Sequence, residues 1–114
     1  MVRRVVITGL GAVSPNGIGK KEFWENTCKG ISGIDRIKSF DPVGLACQIA
    51  GEVTNFDPSL YYSLADLKKM PRSVPIAVAA TQEALKNAGI DLNSFSEEQF
   101  ESLGVLVGSG GSGF

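Results

Sequence analysis

The side chains of this sequence with the greatest reactive potential are two cysteines, Cys28 and Cys47. A thiol acts as nucleophile or metal ligand only as the thiolate, which a neighbouring histidine, a CxxC partner or a metal must favour. The two cysteines have no CxxC spacing, and the chain contains no histidine. A Cys-His or Ser-His pair therefore cannot be assembled from these residues alone. Neither a zinc site nor a disulfide framework is expected. Both thiols read as reduced packing residues, Cys28 on the apolar face of a helix and Cys47 in an extended arm.

Two glycine-rich loops are the other candidates. Gly108, Gly110 and Gly113 match GxGxxG directly after the apolar run 103–107, where a dinucleotide-binding fingerprint would lie. That fingerprint must open a helix and be followed by an acidic residue about 20 positions on, beyond Phe114. A tight turn required by close packing is the favoured reading, with nucleotide binding as the alternative. In the first loop, Gly9 and Gly11 are followed by Ser14 where a third glycine would be needed. Its glycines read as letting the backbone approach a neighbouring element, with Pro15-Asn16-Gly17 making a turn. The lysine pairs Lys20-Lys21 and Lys68-Lys69 read as solvated helix faces.

Several elements must position these loops. Residues 5–8, Val5-Val6-Ile7-Thr8, lack alternation of apolar and polar side chains, which predicts a strand buried on both faces at the centre of a parallel sheet. Residues 103–107 predict a second such strand. Between them, Phe23, Trp24, Thr27, Cys28 and Ile31 recur at helical spacing, predicting an amphipathic helix over 20–29 that ends at Gly30, with Trp24 against the sheet. Residues 32–56 predict two short strands or arms joined by Phe40-Asp41-Pro42. Residues 60–70 predict a short surface helix stopped before Pro71. The strongest helical signal runs over 74–88, with Ser73 as N-cap, Pro75 in the first turn and Gly89-Ile90 as the stop. Its first half is apolar nearly all round, so a covering layer is expected on each side. Ser96 and Gln99 fit a capping box. The order is that of a right-handed βαβ crossover carrying an insertion.

Composition is that of one globular domain, 43% hydrophobic and 20% charged. A net charge of -1 supplies no field to attract nucleic acid or an anionic membrane. No apolar stretch is long enough to span a bilayer, and the run after Arg3-Arg4 is too short for a signal peptide. A cytoplasmic location, with no cofactor and no metal, is the expectation.

The motifs Arg3-Arg4-Val5-Val6-Ile7-Thr8-Gly9-Leu10-Gly11, Ser14-Pro15, Gly17, Phe23-Trp24, Gly30-Ile31-Ser32-Gly33-Ile34, Phe40-Asp41, Ala50-Gly51-Glu52-Val53 and Gly104-Val105-Leu106-Val107-Gly108-Ser109-Gly110 occur in order along the whole chain. Together they resemble the start of the β-ketoacyl-acyl carrier protein synthases, most closely the synthase II type of bacterial fatty acid synthesis. At Met70-Pro71-Arg72-Ser73-Val74-Pro75 the chain departs from that family, which more often has an aspartate after the methionine and no proline before the helix.

The resemblance implies an α/β fold, the N-terminal portion of a thiolase-like α-β-α-β-α architecture, with residues 1–114 as a truncated first domain holding an incomplete parallel sheet and its covering helices. It implies a homodimer at full length and acyl carrier protein, loaded with acyl or malonyl groups, as partner. In the family an acyl chain is carried to a cysteine, and malonyl-acyl carrier protein loses carbon dioxide. The resulting carbanion then attacks the thioester, with two histidines assisting. Those three residues lie in motifs downstream of the matched region, so no residue here is assigned as catalytic, and the chain alone is expected to be inactive. A non-catalytic subunit of the same fold, of the chain-length-factor kind, is the alternative.

Overall fold

A computed structural model describes residues 2–110, and its central joint is the docking of residues 9–12 on one long helix. In chain order the elements are β1 (Val13–Ser14), β2 (Gly17–Ile18), α1 (Lys20–Cys28), β3 (Ile34–Arg36), β4 (Ile49–Gly51), α2 (Leu64–Leu67), α3 (Ser73–Ala88) and α4 (Glu97–Glu101). Single 3₁₀ turns occupy Pro58–Leu60 and Leu92–Ser94.

Helix α3 forms where alanines, which lose no side-chain entropy in a helix, are most concentrated. Pro75 lies in its first turn, where a missing N–H costs nothing, and is fully buried. Ser73 is the first helical residue and not the cap; Arg72 precedes it in a helical conformation and offers no side-chain cap. At the other end Gly89 adopts the left-handed conformation, φ 70°. Its N–H donates to Lys86 O at 3.2 Å, and that of Ile90 donates to Leu85 O at 3.0 Å, the paired bonds of a glycine-terminated helix. Helix α1 ends the same way: Gly30 has φ 68°, and Ile31 N donates to Asn26 O at 2.9 Å.

The ladders that form are both local and antiparallel. In β1–β2, Val13 faces Ile18 and Ser14 faces Gly17 across a two-residue Pro15-Asn16 loop. Gly19 N then donates to Ala12 O at 2.8 Å and closes the base. In β3–β4, Ile34, Asp35 and Arg36 face Gly51, Ala50 and Ile49, so the expected pair of short strands joined through Phe40-Asp41-Pro42 is present. The expected helix over 60–70 is divided: the turn Pro58–Leu60 ends near Tyr61, and Ser63 caps a new four-residue α2, its Oγ accepting from Asp66 N at 3.2 Å. Phe56 is buried against the Tyr61 ring, centroids 5.7 Å apart.

The parallel sheet is not formed among the described residues, which corrects the expectation for 5–8 and 103–107. Neither segment pairs with a strand; Val5 is 93% exposed, Ile7 82% and Leu106 101%. The βαβ crossover is therefore absent as a hydrogen-bonded unit. The reason is physical: a central parallel strand gains its stability from layers on both faces, and among the described residues these segments stay exposed. Short hairpins close at small loop entropy, whereas pairing distant segments must be repaid by burial that is missing here. The same absence leaves Trp24 64% exposed instead of packed on a sheet.

Burial is correspondingly thin. Among the described residues the buried apolar side chains are Phe56 and Ala79, together with Pro42 and Pro75. The radius of gyration is 17.4 Å, against about 13 Å for a compact domain of this length. The part of α3 that is apolar all round in sequence is covered on one side, and Ala77 is exposed.

Candidate functional site

Polar groups converge at the joint between residues 9–20 and α3. Every fourth residue of α3 from Ala80, namely Ala80, Ala84 and Ala88, presents a small side chain, so a second backbone can approach closely. Gly9 and Gly11 make that approach: a Cβ on Gly11 would clash with the Ala80 carbonyl oxygen, and one on Gly9 with that of Ala84. The close-approach reading of the first glycine loop is thus borne out.

Two side chains of α3, four residues apart on this face, then take the main-chain donors that the approach brings near. Asn87 Oδ1 accepts from Leu10 N at 3.1 Å, and Glu83 Oε2 accepts from Ala12 N at 2.9 Å. Glu83 also accepts from Lys20 N, 2.9 Å at Oε1 and 3.1 Å at Oε2, and so caps the first turn of α1, where Gly19 supplies no side chain. Glu22 reaches back to Ile18 N at 2.8 Å. With both its oxygens bonded to backbone N–H groups, the Glu83 carboxylate fastens the loop and the start of α1 to α3. Sequence reasoning misses Glu83 and Asn87; the available signal is an acidic and an amide residue at i, i+4 in line with an alanine stripe.

Beyond the β1–β2 turn lies a polar cleft of about 150 Å³ lined by Ser14, Asn16, Glu22, Asn26, Ser32 and Thr54 among others. Asn26 Nδ2 donates to Asn16 O at 2.7 Å and Asn16 Nδ2 to Thr27 Oγ1 at 3.2 Å, leaving Asn16 Oδ1 buried without a partner. Separately, Leu10, Ala12, Phe23 and Trp24 line an open apolar groove with the stems of Lys20 and Lys21.

Perturbed ionisations lie on and beside the β3–β4 hairpin and at Asp57 before the Pro58–Leu60 turn. The Lys38 ammonium beside Asp35 holds that carboxyl below its usual range and is itself raised. Glu52 is lowered by the Ser39 hydroxyl and by the Lys38 main-chain N–H, which donates to Oε2 at 2.7 Å. Asp57 is lowered by Ser59 in the turn that it caps. Asp35, Lys38 and Asp57 are exposed and Glu52 is half-buried, and each partner lies in the same turn or hairpin, which marks local turn stabilisation.

The two thiols lie at the surface. Cys28 and Cys47 are free and exposed, which corrects their reading as packing residues. No group of three metal-ligating side chains occurs among the described residues. Gly108 and Gly110 meet nothing within 4 Å of a built Cβ, so close packing does not account for them among the described residues; Gly113 lies outside those residues. Lys21, Lys68 and Lys69 are solvated as expected, while Lys20 is part-buried. Among the described residues, no helix is long and apolar enough to cross a membrane.

Comparison with known proteins gives concordant matches. The family described as "Beta-ketoacyl synthase, N-terminal domain" matches residues 2–114. A 3-oxoacyl-[acyl-carrier-protein] synthase 2 of Staphylococcus aureus (strain COL) is 40% identical over 108 residues, covering 95% of this chain and 25% of the relative. The protein of that name from Synechocystis sp. is 36% identical over 108 residues, with the same two coverages of 95% and 25%. Among solved structures, "The ishigamide ketosynthase/chain length factor" superposes with a TM-score of 0.71 at 36% identity, over 83% of this chain and 24% of that one. The chain spans about a quarter of the length of the curated relatives it matches.

Proposed function

The chain belongs to the β-ketoacyl synthase family, and from that membership we propose that it serves as the N-terminal framework of a 3-oxoacyl-acyl carrier protein synthase. The reaction is the decarboxylative condensation of an acyl thioester with malonyl-acyl carrier protein in fatty acid biosynthesis. Identity with 3-oxoacyl-[acyl-carrier-protein] synthases along nearly the whole chain carries this reading. Residues 1–114 are taken as part of the first half of a thiolase-like body, in a cytoplasmic homodimer whose partner is acyl carrier protein. The exposed apolar runs 5–7 and 105–107 support it, because such runs are stable only as inner strands of a larger layered sheet.

No residue of this chain is assigned a catalytic, cofactor-binding or metal-binding role. Its own contribution is positional: Glu83 and Asn87 fix the loop that follows the first apolar run. The likeness to a ketosynthase/chain length factor favours a second reading, a non-catalytic thiolase-fold subunit of a polyketide system.

The purified 114-residue chain, given acyl- and malonyl-acyl carrier protein, is expected to show no condensation above background; turnover would overturn the assignment of the chemistry to groups outside it. Exchanging this chain for the matching quarter of the Staphylococcus aureus synthase tests the framework role: a folded hybrid that condenses supports it, and one that folds as a dimer without condensing counts against it. The two readings are separated by the coding sequence read after the codon for Phe114, where a cysteine in an alanine-rich turn and two later histidines support the enzyme and their absence supports the non-catalytic subunit.

A further inference from the structure

We draw no further inference here: the strongest candidate, the open apolar groove between Leu10 and Ala12 and the Phe23 and Trp24 side chains of α1, carries nothing because nothing in the structure shows what covers it.

Discussion

Gly11 lies so close to α3 that a methyl group added to it would clash with the carbonyl oxygen of Ala80. The obstacle is backbone, which cannot rotate aside as a side chain would. Gly11→Ala is therefore expected to separate residues 9–12 from α3, at a cost at or above the ~1–3 kcal/mol typical of overpacking. Amide exchange at Leu10 and Ala12 should speed up in this variant. Gly104→Ala, where a built Cβ meets nothing within 4 Å, is the control and should leave those amides unchanged. Equal protection in both variants would refute the close approach.

Glu83 joins two segments through one carboxylate, Ala12 N on the loop and Lys20 N at the start of α1. Glu83→Ala leaves both donors without an acceptor in a part-buried place, with an expected cost of about 1.5–3 kcal/mol for bonds to a charged group. Glu83→Gln keeps one carbonyl oxygen and should retain part of that. The readout is exchange at the Ala12 and Lys20 amides, with Asn93, held by Asp91 at 3.0 Å, as an internal reference. If Ala12 and Lys20 exchange no faster than in the unaltered chain, the fastening role is wrong.

What the sequence discloses and what it withholds divide along the range of the interactions. Helices α1 and α3, their glycine ends, the paired arms at 34–51 and the Ser96–Gln99 capping box depend on residues a few positions apart, and each is legible. Ser73 reads as a cap and is instead the first helical residue, because a helix start fixed by Pro75 tolerates several assignments of its first position. Residues 5–8 and 103–107 have the composition of buried strands, but a strand exists only with a neighbouring strand, and none pairs with them among the described residues. Trp24 and the two cysteines follow the same logic, their faces being apolar in sequence and open in space. Glu83 is hidden for the opposite reason. Its donors lie more than sixty residues away in sequence, and the i, i+4 pair beside the alanine stripe does not say which segment supplies them.

The β3–β4 hairpin should respond to pH at both extremes. Asp35 and Glu52 titrate below their ordinary values when folded, so their contribution is present above the ordinary carboxylate range, about pH 4. It is lost as pH falls through the lowered values. Lys38 is raised, so its contribution is present below the ordinary lysine value, about pH 10, and is lost as pH rises through the raised one. Protection of the Ile37 amide, which donates to Gln48 O at 3.0 Å, should therefore hold at neutral pH and decline in acid. Glu52→Gln should flatten part of the acid decline; an unchanged acid profile in that variant would exclude Glu52 as a contributor.

Val5, Ile7 and Leu106 place three large apolar side chains almost wholly in water, on segments whose backbone groups have no strand partner. Unpaired apolar segments of this kind are templates for pairing with other chains. The 114-residue chain on its own is expected to self-associate, with a sedimentation coefficient that rises with concentration. Ile7→Lys combined with Leu106→Lys adds charge on both segments without touching the Gly11–Ala80 contact or the Glu83 hydrogen bonds. The double variant should shift toward monomer while keeping the helical circular dichroism signal of α1 and α3. A concentration-independent monomer in the unaltered chain, melting in a sharp cooperative transition, would mean that these segments find cover within one copy of the chain, and the larger-sheet reading would lose its physical basis.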